Sequence, residues 1–202
     1  PCGRSACWRV RSSVRFDDSH KVQYADLVFE PVLQRTVELS NLFGMAQSAL
    51  LLAATPSGSR MLQAGIQAAT GDCQEFLLEK LRGHVWETSA SPHGNHVLQK
   101  YISTAPPPFA NFIIEELRGR AVTAAQHNTR SRILERLLEH CMHEQTSPLV
   151  DELLDQALTL ARHPFGNFVM QRLLEHGTPA QCHRIAVAVA PHASQLARHR
   201  QG

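Results

Sequence analysis

Ser59-Arg60-Met61-Leu62-Gln63, Asn95-His96-Val97-Leu98-Gln99, Ser131-Arg132-Ile133-Leu134-Glu135 and Asn167-Phe168-Val169-Met170-Gln171 begin 36 residues apart each time, without a gap. A fixed period of this size marks a solenoid of stacked supersecondary units, each too small to bury its own apolar face. The runs also vary within narrow limits. The first residue is Ser or Asn, the second is large and planar or aromatic, and the fifth is Gln or Glu.

The same period runs outward from these segments. Leu77, Ile113, Leu149 and Ile185 share one register, and Leu81, Leu117, Leu153 and Val189 share another, four residues further on. That is the spacing of a buried helical stripe. Val85, Ala121, Ala157 and Ala193, with Thr88, Ala124, Leu160 and Leu196 three residues on, predict a second, shorter helix; Ala49 and Leu52 begin the pattern one period earlier.

A turn precedes each run: Thr55-Pro56-Ser57-Gly58, Ser91-Pro92-His93-Gly94, His127-Asn128-Thr129-Arg130 and His163-Pro164-Phe165-Gly166. Pro and Gly punctuate helices, so each run is expected to open a third helix. Those helices are expected to end at Gly71, near Pro106-Pro107-Pro108, before Pro148 and at Gly177. The third turn departs from its neighbours, with Arg130 where they carry glycine.

Composition bounds the partners. Lys+Arg 20 against Asp+Glu 18 leaves a net charge of +2, so a nucleic acid would not be held by bulk charge and base contacts must carry the binding. The five cysteines, Cys2, Cys7, Cys73, Cys141 and Cys182, are odd in number and scattered, which predicts reduced thiols in a cytosolic or nuclear setting. No apolar stretch is long enough to span a bilayer, and Pro1-Cys2-Gly3-Arg4 carries neither an initiator Met nor a signal sequence. The expectation is a fragment of a larger soluble protein, monomeric and without a cofactor. His140-Cys141-Met142-His143 and Cys182-His183 have metal-capable side chains but no partner pair at zinc spacing. His93-Gly94-Asn95-His96 supplies no nucleophile with an oriented base, so no catalysis is expected.

On a helix, the first and fifth residues of a run share a face, the second projects beside them, and the third and fourth turn toward the core. Taken alone, one such run reads as a capping Ser or Asn followed by a solvated Gln or Glu. Four of them in register predict a ladder instead, each rung offering a flat side chain and hydrogen-bonding groups. Single-stranded RNA needs both: a surface on which a base stacks and partners for its Watson–Crick edge.

The base-edge residues are therefore Ser59, Gln63, Asn95, Gln99, Ser131, Glu135, Asn167 and Gln171, and the stackers are Arg60, His96, Arg132 and Phe168. Glu135 accepts only, and guanine alone presents two adjacent donors on that edge. The Asn/Gln pairs suit uracil, and Ser59 with Gln63 leaves room compatible with adenine. Lys100, Arg136 and Arg172, each directly after a fifth position, are candidates for phosphate contacts.

These residues resemble the Pumilio, or PUF, family over approximately residues 49 to 202, most closely in the stretch from His163 to Gly177. The resemblance implies an all-α fold, a right-handed solenoid of three-helix repeats incomplete at both ends. It implies repeats that read one base each, with the chain antiparallel to the RNA. It then implies the word 5′ UGUA 3′ in messenger 3′ untranslated regions, read in a cytoplasmic protein that recruits repressor or decay factors on its convex face. Residues 1–30 are unassigned, either disordered or degenerate, and the repeat domain is expected over 31–202 with a truncated C-terminal cap. The competing readings are an α-solenoid scaffold for protein partners and a divergent PUF relative in ribosome assembly.

Overall fold

The computed structural model describes residues 44–69, 72–196 and 198; the readings for residues 1–43 and for most of the C-terminal run 196–202 lie outside them. Within the described residues the chain is helical, with no strand. Helices recur in threes. A short helix (α1 Ala49–Ala53, α4 Val85–Ala90, α7 Ala121–Ala125, α10 Ala157–Ala161) leads into a recognition helix (α2 Pro56–Ala68, α5 Gly94–Thr104, α8 Arg130–His140, α11 Gly166–His176). An outer helix follows (α3 Asp72–Leu78, α6 Asn111–Leu117, α9 His143–Leu154, α12 Pro179–Val189), and α13 Ala193–Leu196 begins the next unit. Short 3-10 turns at Glu79–Leu81, Pro107–Ala110 and Ala190–His192 border α3, α6 and α12.

Each recognition helix starts by one device. The residue that opens each turn, Thr55, Ser91, His127 or His163, turns its side chain back to accept from the first free N–H groups of the helix. Those N–H groups have no partner inside the helix, so the acceptor stabilises the helix start by about 1 kcal/mol. Thr55 Oγ1 takes Gly58 N–H at 3.2 Å, and Ser91 Oγ takes Gly94 N–H at 3.0 Å.

The glycines after these turns allow a close approach. A Cβ on Gly94 would lie 2.8 Å from the Thr88 carbonyl oxygen and 2.9 Å from its methyl group, and one on Gly166 would lie 2.9 Å from a Leu160 methyl group. Arg130 occupies this position in the third unit, where the facing residue is Ala124. The Arg130 guanidinium is then drawn across to the preceding unit, 3.8 Å from the Trp86 ring centre, with Nε donating to the Trp86 carbonyl at 3.2 Å.

The helical registers predicted for the core are buried in the middle of the array. Leu77, Leu81, Ile113, Leu117, Leu149 and Leu153 are inaccessible to solvent, as are Val97, Leu98, Ile133, Leu134 and Val169, within about 1 %. Each contributes about 1.5–3 kcal/mol by leaving water. The pattern weakens at the ends. Met61, expected in the core, is 51 % exposed. Val189 is partly exposed and Ala193 exposed at the other end.

Pro148 does not follow a helix; it lies inside α9, in the second turn. The recognition helix α8 ends earlier, at His140, where Cys141 leaves helical geometry at φ −97° and ψ 159°. The outer helix restarts two residues on and accommodates the proline, whose missing N–H removes one helical bond.

Neighbouring outer helices are joined by a recurring carboxylate clasp. Glu116 on α6 accepts the N–H groups of Gly83 and Val85 at 2.7 and 2.9 Å, and Glu152 on α9 accepts those of Gly119 and Ala121 at 2.6 and 3.0 Å. Gly83 and Gly119 sit at φ +82° and +75°, a conformation that favours glycine and turns both N–H groups toward the carboxylate. The third joint is built otherwise. Asp155 replaces glycine at φ −64°, and Arg184 of α12 reaches Asp151 and Asp155 at 2.8 and 3.3 Å.

Candidate nucleic-acid interface

Recognition helices α2, α5, α8 and α11 pack on one another in chain order. The five-residue runs therefore come side by side. Their first residues, Ser59, Asn95, Ser131 and Asn167, are buried and the second residues Arg60, His96, Arg132 and Phe168 are exposed, while of the fifth Gln63 and Gln99 are half-buried, Glu135 is buried and Gln171 is exposed. Contacts between units confirm the shared face: Ser59 Oγ donates to the His93 carbonyl of the next unit at 2.8 Å, and the Arg132 guanidinium lies 5.4 Å from the Phe168 ring centre.

The first residues are not helix caps. Asn95 and Asn167 lie in the second position of their helices, and their amides donate backward, to the Ser91 carbonyl at 2.7 Å and to the His163 carbonyl at 2.8 Å. Their Oδ1 atoms accept Nε2 of Gln99 and Gln171 at 2.7 and 3.0 Å. Ser59 Oγ holds Gln63 Nε2 in the same way at 3.1 Å. The buried first residue thus orients the fifth, restricting a long side chain that would otherwise be free. Each glutamine keeps Oε1 and its second amide hydrogen for a partner, one acceptor beside one donor. That pair matches the N3–H and a flanking carbonyl of uracil, or the amine and bare ring nitrogen of adenine.

The third rung differs in chemistry and in state. Ser131 is buried like its counterparts, so the Arg130 departure leaves its register intact. Glu135 is 7 % exposed and accepts Arg132 Nη1 with both carboxylate oxygens, at 3.1 and 3.4 Å. Arg132 is thus tied to a neighbour in its own run rather than projecting freely as a stacker.

Two of the candidate phosphate ligands, Lys100 and Arg172, also brace one unit against the next, while Arg136 pairs within its own helix. Lys100 Nζ meets Gln67 Oε1 of the preceding recognition helix. Arg136 pairs with Glu139 at 2.5 Å, and Arg172 spans units to Glu139 at 2.9 Å while pairing with Glu175 at 2.6 Å. All three remain partly open to solvent.

The clasp glutamates and the turn-opening acceptors were not singled out from the sequence. Their signal was present, since Glu116 and Glu152, like Thr55, Ser91, His127 and His163, obey the same spacing of 36. Among the described residues Cys73, Cys141 and Cys182 are free thiols, and no three His, Cys, Asp or Glu side chains converge as metal ligands. No described helix is long and apolar enough to cross a membrane.

His127 makes the third recognition helix sensitive to acid. Its Nδ1 accepts the N–H groups of Thr129 and Arg130 at 3.2 and 3.5 Å, which only the unprotonated nitrogen can do. Burial, and then the Arg130 charge, hold its pKa below the ordinary 6.5. A histidine kept neutral by folding contributes stability that is complete above about pH 6.5 and is lost as pH falls through the lower folded-state value. Melting temperature should therefore decline on acidification through this range. His127→Ser, which copies Ser91, should flatten that part of the pH profile when melts are followed by circular dichroism.

A match to the Pumilio-family RNA binding repeat covers residues 49–82, 84–118, 131–154 and 156–190, more than half of the chain. Among solved structures, PUF-8 in complex with PBE-RNA is 24 % identical, with a TM-score of 0.78 over 82 % of this chain and 49 % of its own. A doubly substituted Puf4 bound to a Cox17 RNA 3′ UTR recognition sequence is 26 % identical, with a TM-score of 0.73 over 81 % and 56 %. The RNA-binding domain of yeast Puf5p bound to SMX2 RNA is 20 % identical, with a TM-score of 0.70 over 81 % and 48 %. The chain spans about half the length of these domains. No curated protein matches it by sequence. The repeat is a binding fold and not an enzyme family. With four matched units that fall on the stacked helical repeats, the third from Ser131 onward, this chain belongs to the Pumilio family of RNA-binding repeat proteins.

Proposed function

We propose that the stacked recognition helices bind single-stranded messenger RNA, one base per rung. In this reading Asn167 and Gln171 take U, Ser131 and Glu135 take G, Asn95 and Gln99 take U, and Ser59 and Gln63 take A, giving 5′ UGUA 3′. The protein acts as a cytoplasmic monomer on 3′ untranslated regions and lowers translation or message stability through repressor or decay partners. The observation that carries this reading is the recurrence of Gln63, Gln99, Glu135 and Gln171 in one register of helices that pack side by side, with polar atoms to spare. PUF-8 and Puf5p, which share the fold, were solved with RNA bound.

Stacking contributes about 1–3 kcal/mol per base, roughly 4–12 kcal/mol over four, and much of that offsets the entropy of association. Micromolar affinity is the expectation. Fluorescence anisotropy with an 8-mer containing UGUA should show binding about tenfold tighter than with the same oligomer carrying UUUA, the order of one lost charged hydrogen-bond partner. Equal affinity for the two would overturn the reading.

A further inference from the structure

The second and fifth residues of a run lie three apart on the helix, and only in the third run do they carry opposite charges. There Arg132 Nη1 sits against both oxygens of Glu135 at 3.1 and 3.4 Å. Guanine needs the same ground, because its two adjacent donors reach a carboxylate through both oxygens at once. The guanidinium also leans toward Phe168 of the next rung, at 5.4 Å from the ring centre. In the free protein, one side chain therefore covers the carboxylate of the third rung and part of the flat surface of the fourth.

We propose that Arg132 is a specificity-determining residue that keeps the third rung closed by default and so softens its preference for guanine. The inference rests on the one-base-per-rung reading above. Guanine replaces what the carboxylate loses when Arg132 swings away, since it returns two N–H donors. Uracil returns one donor between two acceptors, so with uracil at this rung Arg132 stays on Glu135 and the base goes unread. The ion pair thus lowers the gain from the right base and spares the wrong one the cost of a desolvated, unpaired carboxylate.

The test is a set of base-preference ratios. Arg132→Met keeps a flexible apolar surface for stacking and removes the charge, and any difference in how it stacks on guanine and on uracil is read separately on the Glu135→Gln background. Arg132 is half exposed, so the variant is expected to fold. The ratio of affinities for the UGUA and UUUA 8-mers should rise about tenfold over the parent, the order that an unpaired buried charge costs. On a Glu135→Gln background the same substitution should leave the ratio where it was. An unchanged or lower ratio for Arg132→Met alone, or an equal rise on the Glu135→Gln background, overturns the inference while the rung reading stands. A parent protein with no guanine preference overturns the rung reading and this inference with it.

Discussion

Replacing Ser131 by Asn together with Glu135 by Gln should invert the base preference of the third rung, so that the UUUA oligomer binds more tightly than UGUA. The pair recreates the arrangement seen at Asn95 and Gln99, where the asparagine donates back to a turn carbonyl at 2.7 Å and its oxygen orients the glutamine amide at 2.7 Å. The site at 135 would then offer one acceptor and one donor in place of two acceptors. Guanine would face an amide hydrogen with one of its own donors, a mismatch of about 1–3 kcal/mol. With the parent preference at about tenfold, the reversal should span roughly two orders of magnitude in relative affinity, read by anisotropy competition between the two oligomers. A double variant that still prefers UGUA would detach residues 131 and 135 from base reading.

The largest loss of stability is expected for Tyr101→Ala. Tyr101 is inaccessible to solvent in α5, with its ring tilted against Phe112 at 6.1 Å between centres. Truncating a buried aromatic residue costs about 3–5 kcal/mol through lost burial and the cavity left behind. A fall in melting temperature on the order of 10 °C should follow in circular dichroism. Tyr101→Phe should be far milder, because the hydroxyl reaches the Phe109 carbonyl at only 3.4 Å. Burial, and then the charge of Glu75, push the phenol's pKa up, with Arg82 acting the other way, so the group stays neutral at any working pH. Because α5 lies between α2 and α8, the loss also weakens coupling along the array, whose stability depends on neighbour-to-neighbour packing.

Much of this architecture was legible from spacing alone. A period without gaps constrains fold, register and shared face together, since identical positions in successive units must meet equivalent neighbours. What stayed hidden depends on neighbours that a single unit does not specify. Met61 has the same place in its run as Val97, Ile133 and Val169, yet it is exposed while they are buried. Asn95 and Asn167 are of a type that favours caps, but the turn-opening side chains perform that task and leave the asparagines to orient glutamines. Pro148 suggested a helix end, but α9 runs through it and gives up the one helical bond that its missing N–H would have made. Arg172 was read as a candidate phosphate contact, while the glutamate it spans to lies one unit back, outside any local pattern. The Arg132 and Glu135 pair was within reach of a local reading, and its effect on the rung came from seeing both oxygens occupied.

The two kinds of joint between outer helices make the array mechanically uneven. Glu116 and Glu152 grip backbone N–H groups, so the pitch between the first three units is set by short charge-assisted bonds to the main chain itself. The last joint relies on Arg184 and two aspartates that are well exposed, and exposed ion pairs fade as salt rises. Curvature is therefore stiff along most of the ladder and compliant at the unit carrying Asn167 and Gln171, where a strand threaded antiparallel to the chain would place its 5′ end and where ionic strength would first alter the fit.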